Sequence, residues 1–337
     1  MRAFVVTAPN TGHIEEVAKP VAKAGEVVVK IARVGICGTD VEFFNGSMPY
    51  LHDGQASYPI RLGHEFTGTV IEAGPGVDQS WIGKRVIGDV MMGCGKCSRC
   101  LDNRQHTCQD RYEIGIRNGF NGALAEEMSI ETRFLFQLPD VITEELGALV
   151  EPGANAWRVA DAAQAKPGKR ILIWGTGTIG LMSAQFCIAM GAEVHMIGID
   201  PKTFPLALEV GAKSANTEVQ PIDGGYHVVI DCTFDPSIPA KALEVVEPGG
   251  RVVLIGVDSN PAPINSRLLV FRDITVVGIL SASPGLQQSI DYMAAGKVKL
   301  EKLVGATIGL SEVLDAFNGK RPASAGPGPK ILVDPSR

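Results

Sequence analysis

Hydrophobic and polar positions change their rhythm once along this chain. Up to about residue 150, short apolar runs at 27–31, 68–73 and 84–87 alternate with Gly, Pro and Asp, the pattern of short strands between turns. From about residue 168 the runs lengthen. Ile171-Leu172-Ile173-Trp174 reads as a buried strand, a Gly-rich turn follows, and an apolar helix covers 179–190 before Gly191 stops it. The pattern then predicts a strand at 194–199, a short helix at 204–210 closed by Gly211, a strand at 227–231 and a helix at 240–246. Glu247-Pro248-Gly249-Gly250 reads as a turn, followed by strands at 251–255 and 274–279. Such alternation predicts a parallel sheet with helices on both faces. Beyond about 285 come a helix, a strand pattern, the Pro/Gly-rich stretch 322–329 and a last strand at 330–333.

Length and composition narrow the class. At roughly 150 residues per domain, 337 residues predict about two domains. Hydrophobic residues at 45% and charged residues at 20% describe an ordinary globular chain. The net charge of −6 offers no basic face for nucleic acid. Residues 171–192 carry no charge, yet Gly175, Gly177 and Gly180 break the stretch, so a membrane span is not expected. Met1-Arg2-Ala3-Phe4-Val5-Val6 reads as a first strand rather than a secretory signal, and a cytoplasmic location is the expectation.

The chain has seven cysteines, an odd number that argues against a disulfide framework. Four of them form Cys94-x2-Cys97-x2-Cys100-x7-Cys108. Thiolates at this spacing can close a tetrahedron around Zn²⁺, with Gly93 and Gly95 allowing the tight turn and Lys96, Arg99 and Arg104 offsetting the charge. Four free surface thiols would instead be an oxidation liability. A closed four-sulfur site leaves no open position, so its role is structural.

Gly175-Thr176-Gly177-Thr178-Ile179-Gly180 matches G-x-G-x-x-G between a predicted strand and a predicted helix, the context that gives the pattern meaning. Gly175 serves the tight turn, Gly177 the approach of a pyrophosphate, and Gly180 the packing of helix on strand. The first-turn residues Thr178 and Ile179 bring free N–H groups and the positive helix end to the phosphates. Asp200, twenty residues beyond Gly180, can accept both ribose hydroxyls and repel a 2′-phosphate, which favours NAD; Lys202 keeps NADP open. Thr233, Gly256 and Val257 follow later strands, where this fold meets the nicotinamide.

Outside the cysteine cluster, Gly35-Ile36-Cys37-Gly38-Thr39-Asp40, Gly63-His64-Glu65 and Glu151-Pro152 stand out. A thiolate, an imidazole and one or two carboxylates can hold Zn²⁺ and leave room for an oxygen ligand. Taken in order, these segments, the four-cysteine lobe and the late glycine motif resemble the zinc-dependent medium-chain alcohol and polyol dehydrogenases over essentially the whole chain. The resemblance implies an α/β fold: a mostly-β GroES-like catalytic domain over 1–150, to which 286–337 returns, and a Rossmann, doubly wound parallel-sheet domain over 151–285.

The same resemblance implies two zinc ions per chain. Cys37 and His64 match the catalytic zinc ligands, and Glu65 matches a glutamate that binds the metal or sits just behind it. Glu151 matches a position that is cysteine in simple alcohol dehydrogenases and glutamate in sorbitol- and glucose-dehydrogenase-like members. Asp40 corresponds to the carboxylate that orients the ligand imidazole. Thr39 corresponds to the hydroxyl that takes the alcohol proton. Cys94, Cys97, Cys100 and Cys108 match the structural zinc lobe. Glu42 stands where the family often has a relay histidine, so the relay ends on Glu42, on water or on a residue such as His52. Phe43, Phe44, Tyr50, Tyr112 and Phe120 are candidates for cleft or core, and Asn45, Arg117 and Asn121 for hydroxyl binding.

The implied function is hydride transfer between NAD(P) and a secondary alcohol such as a polyol, sugar or cyclitol, in a homodimer or homotetramer. The alternatives are an NADPH-preferring carbonyl reductase, a threonine-type amino-alcohol dehydrogenase, and a silent nucleotide- and zinc-binding redox sensor.

Overall fold

The computed structural model describes residues 1–257 and 260–337. Two compact units emerge: Met1–Glu151 with Ser289–Ala294 and Val304–Arg337, and Pro152–Gln288 with Ala295–Leu303. The expectation that everything after 286 returns to the first unit therefore needs correction. Ala295–Leu303 belongs to the second unit, held there by Lys299 N–H donating to Gln185 Oε1 at 2.7 Å and by Lys302 Nζ 2.6 Å from Glu209.

The first unit is built on a seven-stranded sheet. Its path runs Val304–Gly309, Lys330–Asp334, Glu26–Gly35, Glu65–Ala73, Arg85–Gly88 and Leu135–Gln137, with Glu127–Glu131 also paired to Glu26–Gly35. Its pairings are antiparallel apart from Val304–Gly309 on Lys330–Asp334. Val27, Val29 and Ile31 alternate onto one face and join Phe66, Val70, Val86, Met128 and Ile130 in the main core, as period-two patterning requires. A hairpin, Arg2–Ala8 with Thr11–Glu16, forms a separate two-stranded sheet bridged to the connecting segments at Ile60 and Ala125.

The second unit holds a six-stranded, wholly parallel sheet in the order Ser214–Asn216, Glu193–Ile197, Arg170–Trp174, Tyr226–Asp231, Val246–Leu254 and Thr275–Gly278. Arg170–Trp174 is central, which is why Ile171 to Ile173 are continuously apolar and fully buried. The helix Thr178–Ala189 is buried over nearly its whole length, so its charge-free sequence reflects a core helix. Among the described residues no helix is long and apolar enough to cross a membrane.

Two local expectations change. The strand read at 194–199 ends at Ile197, because both neighbouring strands stop there, at Trp174 and Asn216, and Ile199 is fully exposed. The turn read at Glu247-Pro248-Gly249-Gly250 lies inside the strand Val246–Leu254, where the register against Tyr226–Asp231 slips. Gly249 takes φ +75° there, so the turn signal marks an irregularity in the ladder rather than its end.

A Cβ at Gly180 would stand 1.9 Å from the carbonyl oxygen of Gly175. Gly180→Ala is expected to cost about 1–3 kcal/mol through forced separation of helix and strand, read as a lower midpoint in chemical unfolding followed by circular dichroism.

Candidate functional site

The sheet of the first unit brings two sequence-distant segments side by side. Gly35 pairs with Glu65 across adjacent strands, so the chain leaving Glu26–Gly35 enters the Cys37 turn beside His64. Cys37 caps the helix Gly38–Asn45 from an extended conformation, and Asp40 sits at the third helical position.

Asp40 is 1% exposed and joins both segments. Its Oδ2 accepts the Cys37 N–H at 2.9 Å, and its Oδ1 accepts the Gly63 N–H at 3.1 Å. Oδ1 also lies 3.4 Å from His64 Nδ1, within charge–charge reach but outside hydrogen-bond geometry, which leaves Nδ1 enclosed without a bonded partner. Burial pushes the Asp40 carboxyl up, but His64 and the two backbone N–H groups outweigh it and hold it below the usual range. Burial pulls the His64 imidazole down, while Asp40 and the neighbouring Cys37 sulfur raise it well above the usual histidine range. Without a metal, a proton therefore competes for this ring.

One ligand atom each from Cys37, His64 and Glu65 lies within 4.8 Å of the others. A soft sulfur, an imidazole nitrogen and a carboxylate oxygen suit Zn²⁺, and with Nδ1 facing Asp40 it is Nε2 that would be open to a metal. Glu151 is buried at the start of the helix Val150–Ala162, outside this group of three. Thr39 is half-buried in the first turn of its helix. Phe43 and Phe44 are fully buried in the main core, which assigns them to packing. Tyr50 instead joins Arg111 and Glu113: its hydroxyl donates to Glu113 at 3.4 Å, and Arg111 Nε donates to the same oxygen at 2.7 Å. Glu42 lies within the helix Gly38–Asn45, and His52 Nε2 lies 3.0 Å from the Gly46 carbonyl oxygen.

Lys330 escaped sequence reading. It opens the strand Lys330–Asp334, nearly three hundred residues from Cys37, yet its Nζ donates to both Glu65 oxygens at 2.8 and 2.6 Å and to the Ile36 carbonyl at 2.9 Å. Burial pulls the ammonium down, but Glu65, Cys37 and Asp40 outweigh it and keep it charged. A Cβ at Gly35 would stand 2.0 Å from Glu65 Oε2, so only glycine leaves room for this pair. A carboxylate offers about four lone-pair sites, and two N–H contacts leave capacity for a metal. The sequence signal was a lysine set directly before the apolar run Ile331-Leu332-Val333.

The four-cysteine lobe closes on itself. The Sγ–Sγ separations are 3.9 Å for Cys94–Cys100, 3.6 Å for Cys97–Cys100 and 3.7 Å for Cys97–Cys108. A tetrahedron with zinc–sulfur arms of about 2.3 Å has edges of about 3.8 Å, so the donor set fits zinc. Gly95 takes φ +75°, and a Cβ at Gly93 would meet Cys100 Sγ at 2.6 Å. The backbone N–H groups of Lys96 and Cys97 bring the Cys94 thiol down to about 6, while burial pushes Cys100 up to about 12.

In the second unit Gly175 turns at φ +108°, Gly177 caps the helix Thr178–Ala189, and nothing beyond its own chain neighbours crowds the place where a Gly177 Cβ would stand. That opening faces the unpaired N–H groups of the first turn, a ready anion site. Asp200 lies three residues beyond its strand, opens the turn Pro201–Thr203 and accepts the Lys202 N–H at 3.0 Å. Thr203 Oγ1 donates to Thr176 Oγ1 at 2.7 Å, tying this turn to the glycine loop. Thr233 donates its N–H and hydroxyl to Asp231 Oδ1 at 2.9 and 2.7 Å. A Cβ at Gly256 would meet the Thr233 carbonyl oxygen at 1.7 Å, and Val257 is exposed.

Residues 23–140 match the family model for the alcohol dehydrogenase GroES-like domain, and 178–295 match that for zinc-binding dehydrogenases. An uncharacterized zinc-type alcohol dehydrogenase-like protein of Escherichia coli K12 is 30% identical over 332 residues, covering 94% of this chain and 95% of that protein. Sorbitol dehydrogenase of Bacillus subtilis 168 is 28% identical over 329 residues, covering 94% and 92%. The crystal structure of an alcohol dehydrogenase from E. coli CFT073, complexed with NADH, superposes with TM-score 0.90 at 26% identity over 99% of each chain.

Lys330→Met would leave Glu65 buried and unpaired. It is expected to cost about 3–5 kcal/mol in unfolding of the chelator-treated chain, and Lys330→Met combined with Glu65→Gln should recover much of that loss. Equal stability of Lys330→Met and wild type would contradict the pairing.

Proposed function

Since this chain belongs to the zinc-dependent medium-chain dehydrogenases, a family of oxidoreductases, we propose that it transfers a hydride between NAD and a secondary alcohol of the polyol or sugar class. The observation that carries this reading is the convergence of Cys37, His64 and Glu65, braced by Asp40 and Lys330. Cys37, His64, Glu65 and Glu151 would hold a catalytic zinc, and Cys94, Cys97, Cys100 and Cys108 a structural one. When bound, the catalytic ion supplies Lewis acidity to the substrate hydroxyl, and the nicotinamide supplies the hydride acceptor.

The chain's own residues manage the proton and the positions. Thr39 accepts the hydroxyl proton. The i, i+3 spacing of Thr39 and Glu42 on one helix supports Glu42 as the next acceptor. Asp40 fixes the imidazole of His64, and Lys330 fixes the carboxylate of Glu65. Glu151, in place of the cysteine of simple alcohol dehydrogenases, supports a hydroxyl-rich substrate, and the similarity to a sorbitol dehydrogenase agrees. Gly175, Gly177, Thr178, Ile179 and Gly180 would receive the pyrophosphate, Asp200 the adenosine ribose, and Thr233, Gly256 and Val257 the nicotinamide half. The single-partnered edge strand Thr275–Gly278 and the exposed Val270 and Phe271 support assembly into a homodimer or homotetramer. A cytoplasmic setting fits the unpaired cysteines.

A panel of polyols, sugars and amino alcohols, assayed for reduced-nicotinamide absorbance with either coenzyme, is expected to show NAD-linked turnover on a polyol or sugar. Metal analysis should find two zincs per chain; Cys37→Ala should retain one and lose turnover. One zinc in the wild type and no turnover on any alcohol would favour the sensor alternative. Asp200→Gly should raise the NADP-to-NAD ratio of kcat/KM about tenfold, equivalent to ~1.4 kcal/mol; an unchanged ratio would remove Asp200 from coenzyme choice.

A further inference from the structure

A cavity of about 700 Å³ opens in the first unit beside the N-terminal hairpin, within the size range of small-molecule sites. Met1, Val5, Val17 and Met128 form apolar wall, and Arg61 and Lys23 bring positive charge. Cys37, His64 and Glu65 are not among its lining residues.

Backbone alternation explains how an arginine reaches this wall. Val6 and Ile60 exchange backbone hydrogen bonds at 2.9 and 2.8 Å, and both side chains enter the main core together with Leu62. Val5 faces the other way, into a small cluster with Ala3, Ala125, Met1 and Val17. Arg61, between Ile60 and Leu62, therefore projects to the Val5 side.

Its guanidinium is short of partners there. Nε is enclosed with no hydrogen-bond acceptor, and no ion pair to Arg61 exists among the described residues. Burial lowers its pKa to about 10. Glu126 is paired with Arg2 at 3.0 Å and Glu127 with Lys19 at 2.9 Å, while Glu15, which also lines the cavity, lies 3.0 Å from His13 Nε2. Arg117, also partly enclosed, differs in donating to the Gln109 carbonyl oxygen and lying over the Tyr50 ring. Only Nε is enclosed; Nη1 and Nη2 are not, and with Arg61 lining the cavity they are the groups an oxygen ligand can reach.

We propose that this cavity binds a small organic carboxylate, its oxygens received by the Arg61 guanidinium and its hydrocarbon body lying on Val5, Val17 and Met128. The planar guanidinium fork matches a carboxylate, and the apolar wall selects against a bare inorganic anion. The site is separate from the metal-ligand group and adds a second small-molecule site to the chain.

Calorimetric titration of the full, zinc-containing chain with hexanoate tests this, with hexanol as the uncharged comparison. Hexanoate should bind saturably, and hexanol about tenfold more weakly or worse. Arg61→Met should weaken hexanoate by about tenfold or more, while Cys37→Ala leaves it unchanged. Val17→Trp, which fills the cavity from another of its lining residues, should also abolish binding and serves if Arg61→Met fails to fold. Absence of hexanoate binding to wild type overturns the proposal, as does equal binding to a folded Arg61→Met or Val17→Trp variant. Loss of binding in Cys37→Ala overturns it too, because the carboxylate would then be reading the metal-ligand group.

Discussion

The Asp40 carboxylate is the joint on which the candidate catalytic site depends. One oxygen holds the amide of Cys37, and the other holds the amide of Gly63 and faces the ring of His64. Two candidate donors, one capping a helix and the other just before the strand Glu65–Ala73, are thereby fixed by one buried acid. A carboxylate in this position is satisfied by backbone N–H groups on two sides, so it remains charged despite complete burial. Its charge then favours the ring orientation a metal needs, the usual work of an acid behind a ligand histidine.

Lys330 performs the complementary task for Glu65. A carboxylate beside a thiolate and another carboxylate would be repelled or protonated in a buried site. The ammonium balances it, and the strand carrying Lys330 pairs with the strand leading to Cys37. Residues from both ends of the chain thus build one electrostatic unit. The cysteine lobe solves its own problem locally: four sulfurs within 4.8 Å of one another, three of their separations at 3.6–3.9 Å, with backbone N–H groups lowering one thiol. Its sequence spacing is short because nothing distant is required.

The glycine loop of the second unit shows the same locality. Each of its three glycines meets a separate demand: a turn at positive φ, an open approach and a close packing contact. The placement of Asp200 is less local. Asp200 follows a strand that stops early, in a turn held to Thr176 through Thr203, so its position depends on where two neighbouring strands end.

By itself the sequence determined what depends on nearby residues. The parallel sheet followed from buried apolar runs alternating with helices, the gathered sulfurs from four cysteines in fifteen residues, and the tight strand-to-helix turn from glycines at fixed offsets. Cys37, His64 and Glu65 were legible as donor types and through the family resemblance. Their convergence required strand register, which sets Gly35 opposite Glu65. Tertiary structure alone decided the partner of Glu65, the lone guanidinium of Arg61, the end of the strand before Gly198, and the unit that keeps Ala295–Leu303. The physical reason is common to all four. Ion pairs, burial and strand ends are set by segments far apart in the chain, and periodicity in a single segment carries no record of what will face it.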